Sequence, residues 1–66
     1  MQIWKVTLTT NNADAAEESL SEAGAGAVFV TASGNRTHIE AYFQKQPDLN
    51  RLEETLPPHQ NLATEI

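Results

Sequence analysis

The constraint that narrows this chain most is the order in which its two periodicities follow one another. Gln2 to Thr9 alternates with period two: Trp4, Val6 and Leu8 to one side, Ile3, Lys5, Thr7 and Thr9 to the other. That is the pattern of a half-buried strand. From Ala13 to Ala23 the spacing turns helical, with Ala16, Leu20 and Ala23 on one stripe and Glu17, Glu18, Ser21 and Glu22 over much of the rest. Thr10-Asn11-Asn12 supplies side chains that cap a helix, Asp14 puts a negative charge in its first turn, and Gly24 stops it.

Ala27 to Ala32 is a short apolar run holding Val28, Phe29 and Val30, too brief for a helix and rich in strand formers. Ser33-Gly34-Asn35 is a tight-turn cluster, after which Thr37 to Phe43 alternates again. Thr37, Ile39, Ala41 and Phe43 share one side of that arm; His38, Glu40 and Tyr42 share the other. The two arms predict a hairpin. Pro47-Asp48 opens a second helix with Leu49, Leu52 and Leu56 at helical spacing, and Pro57-Pro58 ends it. His59-Gln60-Asn61 reads as a link to a last strand, Leu62 to Ile66, which closes the chain on an apolar residue and suggests that something follows.

Strand, helix, strand, strand, helix, strand within 66 residues predicts one α+β domain, a ferredoxin-like βαββαβ sandwich. Right-handed crossovers place both helices on one face of a four-stranded antiparallel sheet. Trp4, Val6, Leu8, Ile39, Ala41 and Phe43 should meet Leu20, Leu49, Leu52 and Leu56 there. The other face carries no helix. Its two central strands present Ile3, Lys5, Thr7, His38, Glu40 and Tyr42, and of these Ile3, Lys5, His38, Glu40 and Tyr42 form the candidate partner-binding face. There Tyr42 with Ile3, and the edge-strand Phe29 as a further candidate, would make an apolar patch ringed by Lys5, His38 and Glu40. A lone tyrosine and isoleucine on a surface are also ordinary. An aromatic patch inside a polar rim is what protein interfaces use.

Charge narrows the partner. Nine acidic residues against four basic ones give a net charge of -5, and Lys5, Arg36, Lys45 and Arg51 form no basic stripe. Phosphate recognition needs such a stripe, so direct nucleic-acid binding is not expected. A basic protein partner suits the balance better. No cysteine is present, which removes disulfides, thiolate metal sites and a thiol nucleophile. No apolar run approaches the roughly 20 residues of a membrane span, and the opening residues lack a signal peptide's basic head and apolar stretch. A cytoplasmic setting is the expectation.

Catalytic signatures are missing from the pattern. Gly24-Ala25-Gly26 closes a helix and leads into a strand, the reverse of a nucleotide-binding loop. His38 and His59 have no tight ligand spacing with each other or with carboxylates, so no metal site is expected. Glu17, Glu18 and Glu22, and again Glu53-Glu54, read as solvated helix faces. The chain alone is expected to hold no catalytic, cofactor or metal residue.

Two segments carry a family resemblance. One is Ile3-Trp4-Lys5-Val6-Thr7-Leu8 with a helix ending in Glu22-Ala23-Gly24-Ala25. The other is Glu40-Ala41-Tyr42-Phe43, then Pro47-Asp48-Leu49 and Leu52-Glu53. Together they resemble the N-terminal domain of the bacterial ribosomal protein L-eleven methyltransferases, over nearly the whole chain but through small motifs. The resemblance implies that residues 1–66 are a substrate-recognition domain, an N-terminal fragment of a longer protein N-methyltransferase. Its partners would then be a basic ribosomal protein and the C-terminal catalytic domain of the same parent chain, where S-adenosylmethionine binds. No motif pins recognition to individual positions, and no catalytic or cofactor residue carries over.

Two rivals share the element order. A small-molecule regulatory module of the ACT type would hold an amino acid near the first strand–helix turn, yet Thr10-Asn11-Asn12 has no glycine to admit a ligand to the backbone. An acylphosphatase-type enzyme needs a phosphate-cradling loop with an arginine after the first strand, which is absent here. Fold alone does not separate these readings.

Overall fold

The computed structural model describes residues 2–66. Its elements run β1 (Trp4–Thr10), α1 (Ala13–Glu22), β2 (Ala27–Ser33), β3 (Arg36–Phe43), α2 (Leu49–Thr55) and β4 (His59–Glu65). The four strands form one sheet in the order β2-β3-β1-β4, and every neighbouring pair is antiparallel. This is the expected ferredoxin-like arrangement. The register pairs Trp4 with Phe43, Val6 with Ala41 and Leu8 with Ile39, so the inward residues of the two central strands stand opposite one another.

Those residues make the core. Val6, Leu8, Ile39, Ala41 and Phe43 from the sheet are buried together with Ala16 and Leu20 of α1 and with Leu52 and Leu56 at α2. Both helices therefore cover the same sheet face. Trp4 and Leu49 are half-buried against this cluster rather than sealed within it. Thr10, among the described residues the one buried polar side chain, is satisfied: its hydroxyl donates to the Pro58 carbonyl at 2.9 Å and accepts from the Asn12 N–H at 3.1 Å. It ties the end of β1 to the loop before β4.

The helix ends follow side-chain chemistry. Asn12 is the N-cap of α1, accepting from the Ala15 N–H, and Asp48 caps α2 through the Arg51 N–H. At the far end of α1, Gly24 takes φ +106. Its N–H bonds the Ser21 carbonyl, and the Ala25 N–H bonds that of Leu20. That pair of bonds is the Schellman closure, which needs a left-handed residue and so favours glycine. The β2–β3 hairpin turns through Gly34 and Asn35, with φ +64 at Gly34, the arrangement of a two-residue type II′ loop.

Two expectations for the chain's last segment are corrected. His59, Gln60 and Asn61 are not a link but the first part of β4, and Ile66 lies outside the strand, 77% exposed. The polar run escaped notice because β4 is broken by a bulge. Thr7 pairs with Ala63 but Thr9 with Gln60, so an extra residue is inserted opposite Leu8. Asn61 sits there with φ 59, a left-handed conformation that asparagine tolerates better than most residues. The inserted residue restores phase: Leu62 turns inward against the core and Ala63 outward.

Candidate functional site

The open face of the sheet is built from the residues that alternate with the core. From edge to edge, the register sets Ala27, Phe29 and Thr31 of β2 beside Tyr42, Glu40 and His38 of β3. Lys5, Thr7 and Thr9 of β1 come next, and Ala63 and Glu65 of β4 complete the row. No helix covers them. Phe29 is 59% exposed, the most exposed aromatic on the described surface.

Phe29 and Tyr42 meet edge to face, with ring centroids 5.8 Å apart and planes at 80°. Such a pair holds both rings in place, beyond the effect of their buried area. The Tyr42 hydroxyl donates to Oε2 of Glu40 at 3.0 Å, and the other carboxylate oxygen of Glu40 lies 3.6 Å from Nε2 of His38. Three successive outward residues of one strand are thus joined in a line. Donation to the Glu40 carboxylate, aided by burial, raises the phenol of Tyr42 above its ordinary range. Lys5, opposite Tyr42 in the register, pairs with Glu65 of β4 at 3.1 Å, and that hydrogen-bonded partner raises its ammonium pKa.

The sequence-derived face is therefore mostly brought together. Lys5, His38, Glu40 and Tyr42 share it. Ile3 stands before the first residue of β1, exposed, and enters no strand pair with the others. Phe29, the edge-strand candidate, joins the patch beside Tyr42. Its signal was legible as an aromatic in an apolar run, but its contact with Tyr42 required the β2–β3 register. Glu65 was missed as a partner of Lys5 because the bulge hides which residue of β4 faces it.

Charge is distributed unevenly over the domain. Seven of the nine acidic residues lie in or cap the helices: Asp14, Glu17, Glu18 and Glu22 at α1, Asp48, Glu53 and Glu54 at α2. Only Glu40 and Glu65 lie on the open sheet face, where Lys5 and Arg36 balance them. The aromatic face is near neutral and the helix layer is strongly acidic.

Two concavities flank these surfaces. The larger, about 790 Å³, is an open groove where the end of α1 and the start of α2 meet the β3–α2 loop, with Glu22, Lys45, Asp48 and Arg51 on its walls. The other, about 410 Å³, lies at the β1–α1 turn where an ACT-type ligand would sit. Some of its polar groups are engaged: Thr10 with Pro58, Nδ1 of His59 with the Pro57 carbonyl, and Arg36 with Gln60. Among the described residues no group of three or more His, Cys, Asp or Glu could hold a metal ion. His38 projects from the open face, whereas His59 pairs with the inward-facing Thr10. Gly24 and Ala25 close α1, and Gly26 leads into the sheet, its N–H donating to the Tyr42 carbonyl at 2.8 Å. No helix among the described residues is long and apolar enough to cross a membrane.

No family model, curated protein or solved structure matches the chain.

Proposed function

We propose that this domain recognises a basic protein substrate, in the manner of the recognition half of an S-adenosylmethionine-dependent ribosomal protein methyltransferase of the bacterial cytoplasm. Methyl transfer, and the binding of S-adenosylmethionine, would belong to a further domain of the parent chain. The observation that carries the reading is the Phe29–Tyr42 pair, exposed on an uncovered sheet face and framed by Lys5, His38 and Glu40. Aromatics fixed in advance lose little freedom on binding and anchor interfaces within a polar rim. The acidic helix layer adds long-range attraction for a cationic partner, which speeds encounter.

The direct test is a calorimetric titration with purified ribosomal protein L-eleven. Binding is expected at low salt and weakens as salt screens the charge. Phe29→Ala and Tyr42→Ala should each reduce affinity by about tenfold or more, as anchor residues do. An undetectable interaction would end the proposal. Binding that neither substitution alters would remove the aromatic face from it.

A further inference from the structure

The sheet has two edges, and they are not alike. β4 is interrupted by the Asn61 bulge and ends in Glu65, which is paired with Lys5. β2, Ala27-Val28-Phe29-Val30-Thr31-Ala32-Ser33, carries no charge, no proline and no bulge, and pairs in unbroken register with β3 along one side only. Natural sheets blunt their outer strands with charges, prolines or bulges, and β2 uses none of these. Apart from Val28, which packs against the core, its side chains are exposed on both faces of the sheet, Phe29 at 59% and Val30 at 43%.

The hairpin fixes which main-chain groups are free. A two-residue loop closes on a pair that exchanges both hydrogen bonds, here Ser33 and Arg36, and such pairs recur at every second residue. Ala27, Phe29 and Thr31 therefore bond β3. The N–H and C=O groups of Val28, Val30 and Ala32 point away from the sheet.

The surroundings select the occupant. α1 packs against β2. Ser19 of α1 turns toward α2, where its hydroxyl donates to the Thr55 carbonyl at 3.1 Å. Glu17 lies about 160° around the helix from Ser19, on the flank away from α2 and toward the β2 edge. Asp14 is one turn earlier on that side. A second copy of this chain paired β2 to β2 would bring two such acidic helices side by side. A strand with cations on its helix-facing side meets the opposite charge.

We infer that the free edge of β2 takes up an extended segment of a basic partner as an added strand, its cationic side chains toward α1 and its alternate, apolar side chains beside Phe29. Lysine stems would lie along Val30 while their ammonium groups reach Glu17 and Asp14. Main-chain bonds to Val28, Val30 and Ala32 supply the affinity, and the alternation supplies the selection. This inference rests on the proposed protein-recognition role and gives it a binding mode.

The test uses the 66-residue chain and a short blocked peptide alternating lysine with valine. Amide hydrogen exchange should slow by about tenfold or more at Val28, Val30 and Ala32 when the peptide is present, and not at Phe29 or Thr31. The same peptide N-methylated on alternate residues should not bind, a control that leaves the protein's own fold untouched. Val30→Pro removes an outward N–H without touching the β3 ladder and should weaken binding about tenfold. Failure of the peptide to bind, or protection elsewhere, overturns strand addition. If L-eleven nonetheless binds, the recognition role stands without it; if L-eleven fails too, both fall. Protection of the same three amides in the protein alone, rising with its concentration, would assign the edge to a second copy and also overturn the inference.

Discussion

The two faces of this sheet are made from the same strands, one residue out of step. Along β1 and β3 the inward set, Val6, Leu8, Ile39, Ala41 and Phe43, is sealed under two helices. The outward set, Lys5, Thr7, His38, Glu40 and Tyr42, meets no helix. The difference teaches a division of labour. Burial on one side supplies the stability of a small domain, so the other side can keep aromatic and charged groups exposed without being needed to hold the fold. Substitutions should sort accordingly.

The largest expected effect is on the covered face. Leu52→Ala or Leu8→Ala removes a fully buried side chain and should cost about 2–5 kcal/mol in denaturant unfolding. Trp4, the sole tryptophan and half-buried against the core, reports the transition by its fluorescence. A loss as small for Leu52→Ala as for an open-face substitution would break the comparison.

Next come the two positions that hold the strands and helices in phase. Asn61→Val forces a β-branched residue into the left-handed conformation and should cost about 1–3 kcal/mol, while Asn61→Gly should be near neutral, both read from unfolding midpoints. Asn12→Ala removes the cap of α1 at about 1 kcal/mol. If valine and glycine at residue 61 behave alike, the bulge does not set which side of β4 faces the core.

On the open face, Phe29→Ala should change stability by only about 0.5–1.5 kcal/mol, the worth of the ring pair, while the proposed binding to L-eleven should fall by about tenfold or more. Equal damage to both properties would erase the distinction between the faces.

The smallest effect is a titration. Tyr42 is the only tyrosine, so phenolate absorbance isolates it. Its folded-state pKa is raised by donation to Glu40, so the folded chain holds the phenolic proton to higher pH than the unfolded chain does. Any stability from this link is fully present below the ordinary tyrosine value of about 10 and is lost as pH rises through the folded value. Lys5 follows the same sign through Glu65. Glu40→Gln should bring the Tyr42 midpoint down, and an unmoved midpoint would detach the Glu40 carboxylate from the phenol.

Alternation made most of this division legible in advance. β1 and β3 are regular, and their inward residues could be named from period two alone, as could the leucines of both helices. Trp4 was expected in the core and is only half-buried, because it opens β1 at the margin of the cluster. Where the period fails, so did the reading. His59-Gln60-Asn61 looked like a loop because a bulge inserts a residue and destroys the very signal that marks a strand. The Lys5–Glu65 and Phe29–Tyr42 contacts depend on register between strands distant in sequence, which local pattern does not encode.

The bulge at Asn61 has a consequence for assembly. A sheet that can be lengthened from either side is a monomer for fibre growth, because each addition regenerates an end. With β4 broken by its bulge and ending in a charged pair, growth of this sheet is favoured at β2 alone, so two copies that met there edge to edge would close on each other rather than start a fibre.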